Sequence, residues 1–148
     1  MINLTPFADL IPLDHGLCVV VTRRPDHTPQ STVVNTGIIK SPLDNTDVVA
    51  FVAAGRSLKL ANLRADPIIS IVARAGWQWA AVEGTTTLIG PDDPHPSVDS
   101  EALRQLLRQI FTAAGGTHDN WDTYDQTMRD EHRTAVLIAP TRTYSNPT

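Results

Sequence analysis

The residues best suited to chemistry lie in one stretch, Gly55-Arg56-Ser57-Leu58-Lys59-Leu60-Ala61-Asn62-Leu63-Arg64-Ala65-Asp66-Pro67. A strand-like run ends before it, the chain turns at Gly55, and a helix begins with a hydroxyl, two basic residues and free backbone amides. Such an arrangement binds anions, because unpaired N–H groups and the helix dipole both favour negative charge. Ser57 adds a neutral donor and Lys59 a mobile point charge, which suits phosphate or carboxylate. The same residues also describe a capped surface helix with solvated charges, and spacing alone leaves both readings open.

A second stretch is Gly76-Trp77-Gln78-Trp79-Ala80-Ala81-Val82-Glu83-Gly84. Two indoles two residues apart on a strand share one face. They make a stacking surface for a ring system, an anchor for a second subunit, or a core aromatic pair.

Other chemistries lack their residues. The chain has no glycine-rich dinucleotide fingerprint opening a helix, no phosphate-binding P-loop and no nucleophile motif. His15, His27, His95, His118 and His132 stand singly in polar segments, without metal-ligand spacing, and read as solvated surface residues. Asp92-Asp93 and the run Asp119, Asp122, Asp125 lack a calcium-loop pattern and read as solvated, the run as a helix face. No catalytic residue and no metal ligand is therefore assigned.

The elements that must position these residues are short. A helix is expected over Thr5 to Leu10, with Pro6 in its first turn. Strands are expected over Leu17 to Thr22, Gln30 to Lys40, Val48 to Ala53, Ile68 to Ala73 and Trp77 to Leu88, the last with a bulge at Gly84. Between the third and fourth lies a short helix from Ser57 to Ala65, stopped by Asp66-Pro67. After the proline-rich loop Gly90 to Val98, Leu103, Leu106, Leu107, Ile110 and Phe111 follow helical spacing up to Gly115-Gly116. Trp121, Tyr124 and Met128 mark a second helix, and Thr134 to Ala139 a final strand before Pro140 and a polar tail. Strand-turn-strand order favours an antiparallel sheet, and barrel closure removes its edges.

Bulk properties agree with one domain over residues 1–148, since this length buries one real core. A net charge of -4 argues against a general nucleic-acid binder. The lone cysteine, Cys18, sits in an apolar run and reads as a small core residue. No apolar segment approaches the roughly twenty residues that span a bilayer. Met1-Ile2-Asn3-Leu4 lacks the basic start of a signal peptide, so the cytoplasm is the expected location.

Taken together, these segments resemble the pyridoxamine 5'-phosphate oxidase-like split β-barrel flavoproteins, and most closely their actinobacterial branch that uses the deazaflavin coenzyme F420. The likeness is carried by Pro29-Gln30-Ser31-Thr32, by Ser57-x-Lys59-x-x-Asn62-Leu63-Arg64-x-Asp66-Pro67, and by Gly76-Trp77-x-Trp79-Ala80-x-x-Glu83-Gly84. The segment His118-Asp119-Asn120-Trp121-Asp122-x-Tyr124 and the close from Val136 to Pro140 with Tyr144 extend it over nearly the whole chain.

The resemblance implies a mainly β, six-stranded antiparallel split barrel that works as a homodimer, with cofactors in grooves between subunits. Gln30 and Ser31 would then line the groove floor. Val52, Ala53, Ser57, Lys59 and Asn62 would hold the phosphate and acidic tail, and Trp77 and Trp79 would reach in from the partner subunit. Relatives carry basic residues two positions either side of the lysine; here those positions are Ser57 and Ala61, and Arg56 is the candidate replacement. The basic C-terminal signature of a true pyridoxamine-phosphate oxidase is absent. The implied activity is a reductase that moves a hydride from reduced deazaflavin to a small organic acceptor. An FMN enzyme and a non-catalytic cofactor carrier are the alternatives.

Overall fold

Leu17–Arg23 alternates exposed and buried side chains, with Cys18, Val20 and Thr22 inward and Leu17, Val19 and Arg23 outward. Period-two alternation is what a strand with one covered face requires. The computed structural model describes residues 2–147. Its elements are α1 (Thr5–Leu10), β1 (Leu17–Arg23), β2 (Pro29–Lys40), β3 (Asp47–Ala53), α2 (Leu58–Ala65), β4 (Ile68–Ala75), β5 (Gln78–Ile89), α3 (Ser100–Ala113), α4 (Trp121–Asp130) and β6 (Thr134–Ser145), with a 3-10 turn at Ile11–Asp14.

The strands close into an antiparallel barrel in the order β1-β2-β3-β6-β5-β4. The expected mainly β fold with flanking helices is thus observed. Register places Val20 opposite Thr32 on one side and Ile71 on the other, so one inward set of side chains continues round the ring.

Two apolar cores follow from the two faces of the sheet. Inside the barrel, Val20, Phe51, Ile71, Val82 and Ile138 pack together with Phe7 of α1 and with Leu60 and Leu63 of α2. Outside, Ile39, Ala50, Ile89 and Leu137 receive Leu106, Leu107 and Ile110 of α3 and Tyr124 of α4. Neighbours on β6 therefore serve different cores: Val136 and Ile138 the inner, Ala135 and Leu137 the outer.

The structure corrects two expectations. Trp77 lies in the turn before β5, not on the strand, because Gly76 adopts φ 61° and reverses the chain there. β6 does not stop at Ala139. It runs through Pro140 to Ser145, because Pro140 pairs with Gly84 where the β5–β6 ladder is already broken by a bulge, and a missing N–H is tolerated there. Gly84 is required at that bulge, since a Cβ would stand 2.4 Å from the Ala139 carbonyl oxygen.

The helices cover only part of the outer surface. Over β1, β4 and the start of β2 the sheet is bare, leaving Leu17, Val19, Val33 and Ile68 exposed, Val33 to 61%. Among the described residues no helix is long and apolar enough to cross a membrane.

Candidate functional site

The site begins where β3 ends. A Cβ on Gly55 would lie 2.6 Å from His132 Cβ and 2.8 Å from the His132 carbonyl oxygen, so only glycine lets the entry to α2 rest on the segment after α4. The Gly55 N–H donates to the Glu131 carbonyl at 3.0 Å and fixes that contact. On the other side, α4 ends in a left-handed turn. His132 takes φ 48°, its N–H donates to the Arg129 carbonyl, and the Arg133 N–H donates to the Met128 carbonyl. The turn carries Arg133 to the same opening as the first residues of α2.

Ser57 precedes α2 in an extended conformation, yet its hydroxyl makes no capping bond. Ser57 Oγ is buried and has no hydrogen-bond partner, an arrangement that costs free energy unless something else supplies one. Lys59, half-buried, makes no ion pair among the described residues. Burial, and then the charge of Arg133, lower its ammonium pKa.

These groups are part of the lining of a cavity of about 500 Å³, within the range of ligand pockets. Most of the other lining residues are apolar or aromatic, among them Val33 of β2, Val52 and Ala53 of β3, Phe111 of α3, and Tyr124 and Met128 of α4, with the polar Asn35 of β2 beside them. Burial pushes the Tyr124 phenol up to about 12, and its hydroxyl donates to the Leu107 carbonyl at 3.1 Å, so this ring is a neutral wall. A cavity whose lining combines a lysine, an orphan hydroxyl and several apolar and aromatic side chains fits a ligand with a flat apolar part and a phosphate or carboxylate. A flavin or deazaflavin has that chemistry.

Of the residues chosen from sequence, Val52, Ala53, Ser57 and Lys59 meet in this cavity. Asn62 does not. It is buried, and its side-chain amide donates to Thr22 Oγ1 at 3.0 Å, which in turn donates to Gln30 Oε1 at 3.2 Å. Asn62, Thr22 and Gln30 thus form a polar relay that ties α2 to β1 and β2. Ser31 is exposed on the bare outer face, and Arg56 is exposed away from the cavity lining.

Trp77 is 94% exposed at the hairpin tip, while Trp79 is half-buried with its ring edge-on to Tyr144. Asn146 clasps this hairpin: its side chain accepts from the Trp79 N–H at 2.9 Å and donates to the Trp77 carbonyl at 2.9 Å. The indoles are therefore not stacked side by side within one subunit.

Arg133, Phe111 and Tyr124 line the cavity without having been singled out as binding residues. Phe111 and Tyr124 read from sequence as core positions of amphipathic helices, and Arg133 has no motif around it. The acids also differ from expectation. Asp119 and Asp122 are exposed, but Asp125 is buried between Arg104 and Arg108, because α3 and α4 pack with these side chains facing. Asp93 accepts a two-point contact from Arg64, and Asp92 pairs with His132, so both tether the loop of residues 90–98. That loop roofs a second cavity of about 570 Å³ against α3 and α4, which shares Met128 and Arg133 with the first. Among the described residues no group of three or more His, Cys, Asp or Glu is placed to hold a metal ion.

No protein-family model matches the chain. Solved structures do. A conserved hypothetical protein of Mycobacterium tuberculosis superposes with a TM-score of 0.68 at 21% identity, over 98% of this chain and 84% of its own. A pyridoxamine 5'-phosphate oxidase-related, FMN-binding protein of Nostoc punctiforme gives 0.60 at 16% identity, over 96% and 79%. A structure described as an F420 reductase gives 0.59 at 16% identity, over 86% and 88%. What is shared at these identities is the architecture: the chain has the six-stranded barrel fold found among pyridoxamine 5'-phosphate oxidase-related proteins and in an F420 reductase.

Proposed function

We propose that this chain is a cytoplasmic, homodimeric oxidoreductase that binds coenzyme F420 in the cavity between β3, α2 and α4 and reduces a small organic acceptor. The observation that carries the reading is the meeting, in the lining of one cavity, of Lys59, an orphan hydroxyl at Ser57 and apolar and aromatic side chains. The bound deazaflavin supplies the hydride chemistry, and the protein supplies binding and electrostatics. Lys59 and Ser57 grip the anionic tail through a charge-assisted bond and a neutral one. Val52, Ala53 and Phe111 exclude water from the flat part of the ligand. The Tyr124 phenol is held neutral and donates to the Leu107 carbonyl, and no catalytic residue is nominated.

Dimerisation completes the site in this proposal. Leu17, Val19, Val33 and Ile68 form a bare apolar face, and Val33 also borders the cavity, so a second copy seated there would wall its open side. An indole as exposed as Trp77 is costly to leave in water, and the partner subunit would cover it. Ser31 lies on the same face; Gln30 and Asn62 support the site from behind through Thr22. Arg56 takes a peripheral role toward the tail.

FMN is the second reading, favoured by the FMN-binding neighbour. Parallel fluorescence titrations with F420 and FMN decide between them, since FMN ends at its phosphate and the deazaflavin continues into carboxylates. Light scattering on the purified chain tests the dimer. A monomer that ignores both cofactors at high micromolar concentration overturns the proposal, and tight binding without turnover over a broad acceptor panel reduces it to a carrier.

A further inference from the structure

α2 is a poor source of positive charge for a phosphate. Of its basic residues and the one just before it, Arg56 is outside the cavity and Arg64 is held in a two-point contact by Asp93, at 2.9 and 2.7 Å. Lys59 is the one basic residue of this segment that lines the cavity, and it offers a phosphate a single charged group. A second cation, Arg133, lines the same cavity and is near enough for its charge to act on Lys59.

Its position is fixed by backbone, not by side-chain chance. The Gly55 N–H bond to the Glu131 carbonyl locks the entry of α2 to the end of α4, and the left-handed turn at His132 then sets the direction of Arg133. Its guanidinium is oriented too. Nε donates to Glu131 Oε1 at 2.8 Å, and one Nη lies 2.8 Å from the same oxygen. That leaves the other Nη without a protein partner among the described residues, and a guanidinium presents its donors as a planar fork suited to phosphate oxygens. Among the described residues Lys59 has no counter-charge, Ser57 Oγ has no partner and one Nη of Arg133 has no acceptor; an anion among them satisfies all three.

Resting on the reading of this cavity as a cofactor site, we propose that Arg133 is the second cation of the anion-binding group, gripping the ligand's phosphate together with Lys59 and Ser57, with Glu131 as the residue that positions its guanidinium. The shared chemistry is a phosphate group, whether it ends the ligand, as in FMN, or links it to a further tail, as in the deazaflavin coenzyme.

Two ligand pairs isolate the phosphate: FMN against riboflavin, and coenzyme F420 against its chromophore alcohol without the phosphate tail. Affinities are measured by fluorescence on the intact chain and on Arg133→Gln, Arg133→Lys, Glu131→Gln and the control Lys40→Gln, an exposed residue outside the cavity lining. Arg133→Gln is expected to weaken the phosphate-bearing member of the binding pair at least tenfold and leave its phosphate-free partner unchanged. Arg133→Lys recovers part of the loss, Glu131→Gln loses a few-fold, and Lys40→Gln stays within twofold. Which pair responds identifies the ligand source.

Unchanged affinity for the phosphate-bearing ligand in Arg133→Gln overturns the assignment. Equal loss for both members of a pair also overturns it, since that marks general damage to the cavity. If the unaltered chain binds neither pair, the cofactor reading fails by itself, and inorganic pyrophosphate becomes the probe. A rise in melting temperature with pyrophosphate that Arg133→Gln and Lys59→Ala both abolish retains the two-cation anion grip, and no rise removes it.

Discussion

Two clusters of charge, both touching α4, are built on opposite principles. Between α3 and α4, Asp125 is 5% exposed and receives Arg108 at 3.0 Å and Arg104 at 3.1 Å, and Arg104 reaches back to Glu101 at 2.8 Å. Those bonds hold Asp125 below the usual carboxylate range, Arg108 first among the causes, and bring Glu101 to about 2. At the mouth of the cavity the opposite holds: Lys59 has no ion pair among the described residues, burial and then the like charge of Arg133 act against its ammonium, and Ser57 Oγ has no partner. The first cluster spends its charges on joining two helices. The second leaves Lys59 and the Ser57 hydroxyl unspent, at a cost to the fold, and such an imbalance is expected where a ligand completes the structure.

The comparison breaks most visibly at Asp125. Asp125→Ala leaves two arginines facing each other without a carboxylate, and is expected to destabilise the protein by about 3 kcal/mol. Differential scanning calorimetry would show this, while cofactor affinity per folded molecule changes little. Lys59→Ala is expected to do the reverse. The melting temperature holds or rises, and affinity for the phosphate-bearing ligand falls by roughly 1.5–3 kcal/mol, the scale of a charge-assisted hydrogen bond. If Lys59→Ala destabilised the chain and left binding intact, the contrast between the clusters would be wrong.

Ser57→Ala sharpens the contrast on a smaller scale. The hydroxyl caps nothing and is orphaned in its burial, so its removal is expected to stabilise the unliganded chain by up to about 1 kcal/mol, with ligand affinity a few-fold lower in the same titration. The smallest expected effect is in pH. The folded chain holds the Lys59 proton less tightly than the unfolded one. Between the lowered pKa and the ordinary one the unfolded state binds more protons, so stability without ligand gains a contribution as pH rises through that window. Anion affinity moves the other way, falling as Lys59 loses its charge. A titration series from neutral to alkaline pH in which affinity stayed level in the unaltered chain would count against the lysine.

How far the sequence shows the site depends on whether a residue's neighbours along the chain are also its neighbours in space. Val52, Ala53, Ser57 and Lys59 were legible because a strand end, a turn and a helix start are consecutive, and their cavity is the opening those elements make. Alternation in β1 and helical spacing in α3 were legible for the same reason. Arg133 was not. It reaches Lys59 only through a left-handed turn at a histidine and a backbone bond across 76 positions, from Gly55 to Glu131. Asn62 misled because its amide and its sequence neighbours suit an anion, while its actual partner, Thr22, lies 40 positions away. Asp125 misled similarly, since burial of an acid follows from where α3 places its arginines. Pro140 reads as a stop signal, and the bulge that admits it depends on the register of β5.

The clasp at Asn146 has a consequence for handling the protein. A single side chain near the end of β6 staples the loop carrying Trp77, so the posture of that indole is governed from a point almost seventy positions away. Carboxypeptidase trimming past that asparagine would unfasten the staple without touching either core. Preparations clipped there should keep their melting behaviour while the indole's emission broadens.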